Sequence, residues 1–274
     1  MEKKTITINA IELAYFELNS DARETIFFIH GNSVSSLCWK KQLASELLKP
    51  HRLVAIDLPA HGDSGASSNE QQDYNLQGLG LILANAIKEL AGDRPYLMAG
   101  ISLGTNILAE ALANDLKPAG VVLGGSCIVG GDYTVNSFLM SNTNVYVVFK
   151  DDSSLNEVSQ YASQVMLSTD EEGVNDFISD YYRVKVPFRS TLADSIGKQQ
   201  YSNEIALINS IKKPVLLIFG KDELVVTPDY LDDASLNLWR DSIFKLPGAS
   251  HLVHIDQPEA FNKLLADYAK DMFG

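Results

Sequence analysis

The 274-residue chain is predicted to form an α/β fold, in which a mostly parallel central sheet is flanked by helices. Short, uninterrupted apolar runs alternate with segments that carry apolar residues at helical spacing. Such runs are typical of parallel strands that are covered on both faces. One run, residues 96–99, passes through the sequence G-I-S-L-G directly into a helical pattern, which predicts a tight strand-to-helix turn.

The elements follow in a regular order along the chain. Two alternating segments, residues 5–9 and 11–18, predict an N-terminal hairpin. Apolar runs predict buried strands at residues 26–29, 53–56, 96–99, 121–123, 215–219 and 243–246. Helical spacing predicts helices at residues 39–48, 76–90, 106–116 and 258 to about 272, the last with proline in its first turn.

Residues 126–205 interrupt this order. They lack a convincing buried strand, contain many aromatic residues and have a mostly helical pattern. We interpret them as a helical lid inserted after the sixth strand. The predicted core is therefore residues 1–125 and 206–274, and a single domain with a large insertion is favoured over two separate domains.

Composition limits the partners and the location that we expect. The formal net charge of −13 opposes binding to nucleic acid and to anionic membrane surfaces. The N-terminus enters a strand-like pattern at once, and no apolar stretch approaches the roughly 20 residues of a membrane helix. Cys38 and Cys127 are too few for a disulfide framework or a zinc site, and we expect both to be packing residues. These features predict a cytoplasmic protein and leave its oligomeric state open.

The turn at residues 100–104 is the strongest chemical signal. Glycines two residues before and two residues after Ser102 give the backbone room for a nucleophile elbow, which pushes the serine hydroxyl out over the edge of the sheet. A neutral serine is a poor nucleophile, so it needs a base and a third group that orients the base. We predict that Ser102 is the nucleophile and that an acid and a histidine follow it, each after its own strand.

Four motifs resemble those of the α/β-hydrolase superfamily in order and spacing. They are H-G-N-S at residues 30–33, D-L-P-A-H-G-D-S at 57–64, G-I-S-L-G at 100–104 and G-A-S-H at 248–251. The likeness covers nearly the whole chain outside the lid. It implies the α/β-hydrolase fold and a catalytic triad of serine, acid and histidine.

The resemblance favours His251 as the base. Ser250 replaces the glycine that the family has before this histidine, while Asp256 and Pro258 keep the downstream spacing. His254, three residues after His251, is the alternative.

The triad acid lies in the sequence G-K-D-E at residues 220–223, which offers two adjacent carboxylates. Neighbours in an extended loop point in roughly opposite directions, so only one of them faces the histidine. The superfamily usually places its acid three residues after this glycine, which favours Glu223. Asp222 is then expected to bind local amides as a turn former, and it stays open as the alternative acid.

Two backbone N–H groups are predicted to stabilise the oxyanion, those of Leu103 at the start of its helix and of Asn32. The Asn32 side chain either binds the substrate or satisfies nearby backbone groups.

No spacing in the sequence requires a metal or a cofactor. A serine rather than an aspartate nucleophile disfavours dehalogenase and epoxide hydrolase chemistry and leaves carbonyl substrates. The motifs at residues 30–33, 101–104 and 220–223, with E-V-S-Q-Y at 157–161, look like those of metal-independent acyl-homoserine lactone lactonases. That likeness implies that Tyr161 reaches from the lid to the lactone; packing among lid aromatics is the alternative.

We therefore predict a cofactor-independent serine hydrolase that acts on a small neutral ester, such as an N-acyl-homoserine lactone. A carboxylesterase of broad specificity shares every catalytic residue and is the first alternative. A ligand receptor with slow or no turnover is the second, and a carbon–carbon lyase is a weaker third.

Overall fold

The computed structural model describes residues 2–167 and 171–274. Its strands are β1 (Glu2–Ile8), β2 (Ile11–Leu18), β3 (Thr25–Ile29), β4 (Arg52–Ile56), β5 (Tyr96–Ile101), β6 (Gly120–Gly124), β7 (Val215–Gly220) and β8 (Leu238–Leu246). They form one eight-stranded sheet in the order β1-β2-β4-β3-β5-β6-β7-β8. Every predicted strand is therefore present, and the predicted fold class is confirmed.

The sheet is mostly parallel. β1 and β2 form the predicted antiparallel hairpin, and β2 pairs antiparallel with β4. From β4 to β8 each neighbouring pair is parallel. Every residue of β3, β4, β6 and β7 is buried, because helices cover both faces, and this explains why these sequences are apolar without alternation.

The helices are α1 (Lys40–Leu43), α2 (Glu70–Asp73), α3 (Leu76–Ala91), α4 (Leu103–Leu112), α5 (Val135–Phe138), α6 (Leu155–Val165), α7 (Glu171–Arg183), α8 (Phe188–Gly197), α9 (Glu204–Ser210), α10 (Val253–Asp256) and α11 (Pro258–Phe273). α3 and α4 pack closely against each other. A Cβ on Gly80 of α3 would lie 2.6 Å from the Glu110 Cβ of α4, so this crossing requires glycine. No helix in the described residues is long and apolar enough to span a membrane.

The helices α5 to α9 lie between β6 and β7, and we call the segment between these two strands the insertion. It is mostly helical, as expected for residues 126–205. The division of the chain at 125/126 and at 205/206 stays a prediction, and α9 crosses the second boundary.

Two predicted helices differ from those observed. Residues 39–48 do not form one helix; they contain the end of a 3₁₀ turn (Ser36–Trp39), then α1, then a second 3₁₀ turn (Glu46–Leu48). Their apolar residues are buried by tertiary contacts, as when Trp39 packs 5.0 Å from Phe28 between ring centroids. The helix predicted from residue 106 begins at Leu103, because it starts at the elbow itself, and it ends at Leu112.

Candidate active site

The candidate site lies where the carboxyl ends of adjacent parallel strands meet. Ser102 follows β5, and the loop at residues 30–33 follows β3, its neighbour in the sheet. Glu223 follows β7 and His251 follows β8. Parallel strands expose their carboxyl ends on one edge of a sheet, so four loops that are distant in sequence converge there.

Ser102 has the backbone of a nucleophile elbow, with φ 53° and ψ −129°. Such a conformation is strained for a residue other than glycine and persists only when its surroundings fix it. A Cβ on Gly100 would lie 2.7 Å from the Gly104 carbonyl oxygen, and one on Gly104 would lie 2.4 Å from the Ile29 carbonyl oxygen. Both glycines are therefore required by close backbone packing, as the sequence predicts.

The predicted triad residues lie within hydrogen-bond distance of one another. Nε2 of His251 lies 2.8 Å from Oγ of Ser102. Nδ1 of His251 lies 3.1 Å from Oε1 and 3.3 Å from Oε2 of Glu223. With its Nδ1–H donated to the carboxylate, the ring has Nε2 free to accept the serine proton.

The two neighbouring carboxylates have different partners. Oε1 of Glu223 also accepts the backbone N–H groups of Val225 and Val226, each at 3.0 Å. Asp222 instead accepts the Gly248 N–H at 2.7 Å, which is the turn-forming contact expected of it. Only Glu223 reaches His251 in this geometry.

The ionisation of the two rival histidines differs because their surroundings differ. Burial lowers the pKa of His251, but the Glu223 carboxylate and Cys127 together offset this and hold the pKa above its ordinary value. Burial lowers the pKa of His254 to about 3, so this ring is neutral. His254 packs 4.2 Å from Trp39 between ring centroids and lies away from the serine.

The two predicted oxyanion donors lie beside Ser102. Leu103 is the first residue of α4, where a helix leaves its N–H groups without an intrahelical acceptor. A Cβ on Gly31 would lie 3.6 Å from Oγ of Ser102, so the loop that carries Asn32 passes close to the hydroxyl. Nδ1 of His30 donates to the Gly31 carbonyl at 2.7 Å. Because C=O and N–H of one peptide point in opposite directions, this bond aims the Asn32 N–H away from His30.

The Asn32 side chain is satisfied within the protein. Its Nδ2 donates to the Val148 carbonyl at 2.7 Å, and its Oδ1 accepts from Ser33 Oγ at 2.9 Å. This arrangement matches the alternative that the sequence left open, in which the side chain binds nearby backbone.

A cavity opens above Ser102 with about 830 Å³ of empty space, part of it continuous with solvent. Most of its lining side chains are apolar and come from the insertion and from the core; they include Leu76, Val129, Phe138, Leu139, Val145, Val148, Phe149, Val165, Phe177, Ile196 and Val226. Apolar walls with few polar groups suit an uncharged ligand that carries an acyl chain.

Tyr161, on α6 of the insertion, lines this cavity and is 4 % exposed. Its ring packs 6.0 Å from that of Phe177, between centroids. Burial raises the pKa of Tyr161, so the hydroxyl stays a neutral donor.

Three cavity or loop contacts have no clear signal in the sequence. Cys127, expected to be a packing residue, lines the cavity and lies close enough to His251 to raise the pKa of that ring. Asn106 also lines the cavity, one helical turn after Ser102. Arg189, from α8, reaches the loop after β3. The spacing of Ser102 and Asn106 on one helix face is the only pattern that could have indicated one of them.

Comparison with known proteins gives consistent results. Residues 26–264 match the family model described as the alpha/beta hydrolase family. An uncharacterized hydrolase of Bacillus subtilis, YugF, is 22 % identical over 274 residues, with 97 % of each chain covered. A pimeloyl-[acyl-carrier protein] methyl ester esterase of Nitrosomonas europaea is 25 % identical over 251 residues, which cover 86 % of this chain and 92 % of that protein.

One similar solved structure is a mutant of the N-acyl homoserine lactonase AidH in complex with N-hexanoyl homoserine lactone. It superposes with a TM-score of 0.90 at 21 % identity, and the match covers 99 % of this chain and 98 % of that one. At this identity the likeness establishes a shared fold.

Proposed function

The chain belongs to the alpha/beta hydrolase family, and from that premise we propose that it is a serine hydrolase that cleaves carboxylic esters, most readily a lactone such as an N-acyl-homoserine lactone. The observation that carries the proposal is the hydrogen-bonded series Ser102–His251–Glu223 at the base of an apolar cavity. A nucleophile hydrogen-bonded to a base, with an acid that orients the base, is the arrangement that catalyses acyl transfer.

In the first half-reaction, His251 Nε2 accepts the Ser102 proton as Oγ attacks the substrate carbonyl carbon. Glu223 stabilises the imidazolium that forms, since its carboxylate already accepts the Nδ1–H. The oxygen of the tetrahedral intermediate takes the negative charge, which the N–H groups of Leu103 and Asn32 stabilise.

To complete this half-reaction, His251 gives its proton to the leaving alkoxide, the bond between the carbonyl carbon and that oxygen breaks, and the acyl-enzyme forms. The alkoxide of a lactone stays tethered to the acyl group, so the cavity must hold the whole opened chain. Water activated by His251 then attacks the acyl-enzyme and releases a hydroxy acid.

A neutral acyl-lactone fits the cavity in charge and polarity. The walls near Ser102 are apolar, and Tyr161 on the insertion adds a hydroxyl that burial keeps neutral. The lactonase AidH, which shares the fold, was solved with such a lactone bound, and this supports the same substrate class here.

A carboxylesterase is the second candidate, and the similarity to a methyl ester esterase favours it. It requires the same three catalytic residues and differs only in how the cavity fits the alcohol portion. A receptor without turnover is less favoured, because His251 already lies at 2.8 Å from the serine oxygen.

The test compares wild type and Ser102→Ala in a pH-stat, with N-hexanoyl-homoserine lactone beside the linear ester methyl hexanoate. We expect one equivalent of acid per lactone, faster cleavage of the lactone than of the ester, and loss of both activities in the variant. Ser210→Ala, which removes an exposed hydroxyl outside the cavity, is the matched control and should behave as wild type.

The other outcomes separate the candidates. Faster cleavage of methyl hexanoate would favour the carboxylesterase. Saturable lactone binding without acid release would favour the receptor. Undiminished turnover by Ser102→Ala would rule out the serine mechanism.

A further inference from the structure

Arg189 is a buried arginine of the insertion whose partners lie in the loop that carries Asn32. It lies on α8 and is 1 % exposed. Its guanidinium carbon lies 3.7 Å from the centre of the Tyr181 ring, and its Nη2 donates to the Tyr181 carbonyl. Its charge is therefore held by a ring face and by neutral oxygens, with the Asp151 carboxylate near enough to favour the charged form.

A second guanidinium donor, Nε, begins a series of hydrogen bonds that leads to Asn32. Nε of Arg189 donates to Ser33 Oγ at 2.8 Å, and Ser33 Oγ donates to Asn32 Oδ1 at 2.9 Å. Nδ2 of Asn32 then donates to the Val148 carbonyl at 2.7 Å. Both ends of the series lie in the insertion, and its middle is the loop after β3.

This loop needs external support because its backbone is strained. Ser33 has φ 63°, a left-handed conformation that is unfavourable for a residue with a Cβ. The Ser33 N–H donates to Nε2 of His61 at 3.2 Å, and the Ser33 hydroxyl is held on both sides by Arg189 and Asn32. Arg189 of the insertion therefore holds the side chain of Ser33, a residue whose backbone conformation is unfavourable by itself.

The direction of the Asn32 N–H depends on that backbone. His30 fixes the peptide before Asn32 through the Gly31 carbonyl, and the Ser33 contacts fix the peptide after it. If the Ser33 hydroxyl is released, the peptide after Asn32 is held only by the His61 contact, so the Asn32 N–H can tilt away from Ser102 even though His30 still holds the Gly31 carbonyl.

We propose that Arg189 is a positioning residue that aims the Asn32 N–H at the oxyanion, so that the oxyanion hole is complete only when the insertion is docked on the core. This proposal rests on the proposed function, because it concerns a donor to the tetrahedral intermediate. The charge on the oxygen develops after substrate binding, so a misdirected donor lowers kcat while KM is little changed.

The experiment measures kcat and KM for 4-nitrophenyl butyrate with Arg189→Gln, Arg189→Lys and Ser33→Ala. Removing one oxyanion donor outright lowers kcat by about 100- to 1,000-fold, so a misdirected donor should lower it by about 10- to 100-fold. We expect KM to stay within about threefold of wild type. Lysine keeps one charged donor at this place, so Arg189→Lys should recover part of the loss in kcat.

Arg183→Gln is the matched control. Arg183 also links the insertion to the core, donating to Asp63 Oδ1 at 2.6 Å and to the Gly62 carbonyl at 3.2 Å, but it does so at the surface and away from Asn32. Its kcat should equal that of wild type within about twofold, as surface ion pairs contribute little.

A double variant separates positioning from general loosening. Arg189→Gln and Ser33→Ala break the same series, so the double variant should lose no more kcat than the more impaired single variant. Additive losses, an unchanged kcat in a folded variant, or a rise in KM alone would overturn the proposal. Ser33→Ala removes only one hydroxyl and covers the case in which Arg189→Gln fails to fold.

The same assay distinguishes failure of the proposed function from failure of the inference about Arg189. If wild type hydrolyses no ester, the proposed function is wrong and this inference is wrong with it. If wild type is active and Ser102→Ala is not, while the Arg189 variants keep their kcat, only the inference is wrong.

Discussion

Replacing Glu204 with glutamine should stabilise the protein at high pH and have little effect at low pH. Glu204 begins α9 and is fully buried. Its Oε2 accepts from Asn106 Nδ2 at 2.7 Å and from the Val129 N–H at 2.8 Å. Its Oε1 has no partner in the described part of the chain. Burial, with a smaller contribution from Glu110, raises the pKa of Glu204 from 4.5 to about 8.

The size and sign of the effect follow from proton linkage. Between pH 4.5 and 8 the folded protein keeps a proton that the unfolded chain releases, so the free energy of unfolding falls as the pH rises. The destabilisation is under about 1 kcal/mol at pH 5 and reaches about 4 kcal/mol at pH 8. The amide of glutamine is neutral at both pH values and keeps a carbonyl oxygen for the two donors. The free energy of unfolding of Glu204→Gln, relative to that of wild type, should therefore increase by about 3 kcal/mol from pH 5 to pH 8.

The assay is guanidinium chloride unfolding followed by tryptophan fluorescence at pH 5, 6, 7 and 8. Other groups titrate in this range, so the measured quantity is the difference between variant and wild type at each pH. Glu89→Gln replaces an exposed glutamate of α3 and should give a difference that does not change with pH. A constant difference for Glu204→Gln as well would refute the reasoning, because it would mean that the buried carboxyl titrates alike in folded and unfolded chains.

Three further predictions concern the candidate site. Wild-type kcat/KM should fall as the pH drops through the raised pKa of His251, above 6.5, because the base must be neutral; Glu223→Gln should move this limb of the pH–rate profile to lower pH and reduce kcat by about 100- to 10,000-fold. Gly104→Ala places a Cβ 2.4 Å from a β3 carbonyl oxygen, so it should cost roughly 1–3 kcal/mol in a denaturant titration and lower kcat. Tyr161→Phe should lower kcat/KM for the lactone by about 10-fold and leave methyl hexanoate unaffected, whereas Tyr146→Phe, exposed on the insertion, should change neither.

The core of the site could be predicted from the sequence because short segments determine it. The turn at Ser102 needs Gly100 because a Cβ there would meet the Gly104 carbonyl within the same five residues, while Gly104 is required by the approach of β3. The order of strands then brings the loops with Glu223 and His251 to the same edge of the sheet. The choice between His251 and His254 follows from tertiary packing, since only the structure shows Trp39 against His254.

Contacts made by the insertion could not be predicted, because its helices carry no motif that fixes how they dock. Glu204, Asn106 and Arg189 each have a hydrogen-bond partner that lies 75 to 156 residues away in sequence. Their side chains are polar and would be expected at the surface from composition alone. Burial of such groups is determined by packing between elements, which the local pattern does not encode.

The hydrogen bonds around the cavity favour Tyr161 over the Asn32 side chain as the group that meets the polar portion of a substrate. A half-buried amide that already donates to Val148 and accepts from Ser33 would have to give up both bonds to bind a ligand, at a cost comparable to what the ligand returns. Tyr161 lines the same cavity, and burial raises the pKa of its hydroxyl, which therefore stays a neutral donor. Asn32 therefore contributes through its backbone N–H, and its side chain serves to hold that N–H in place.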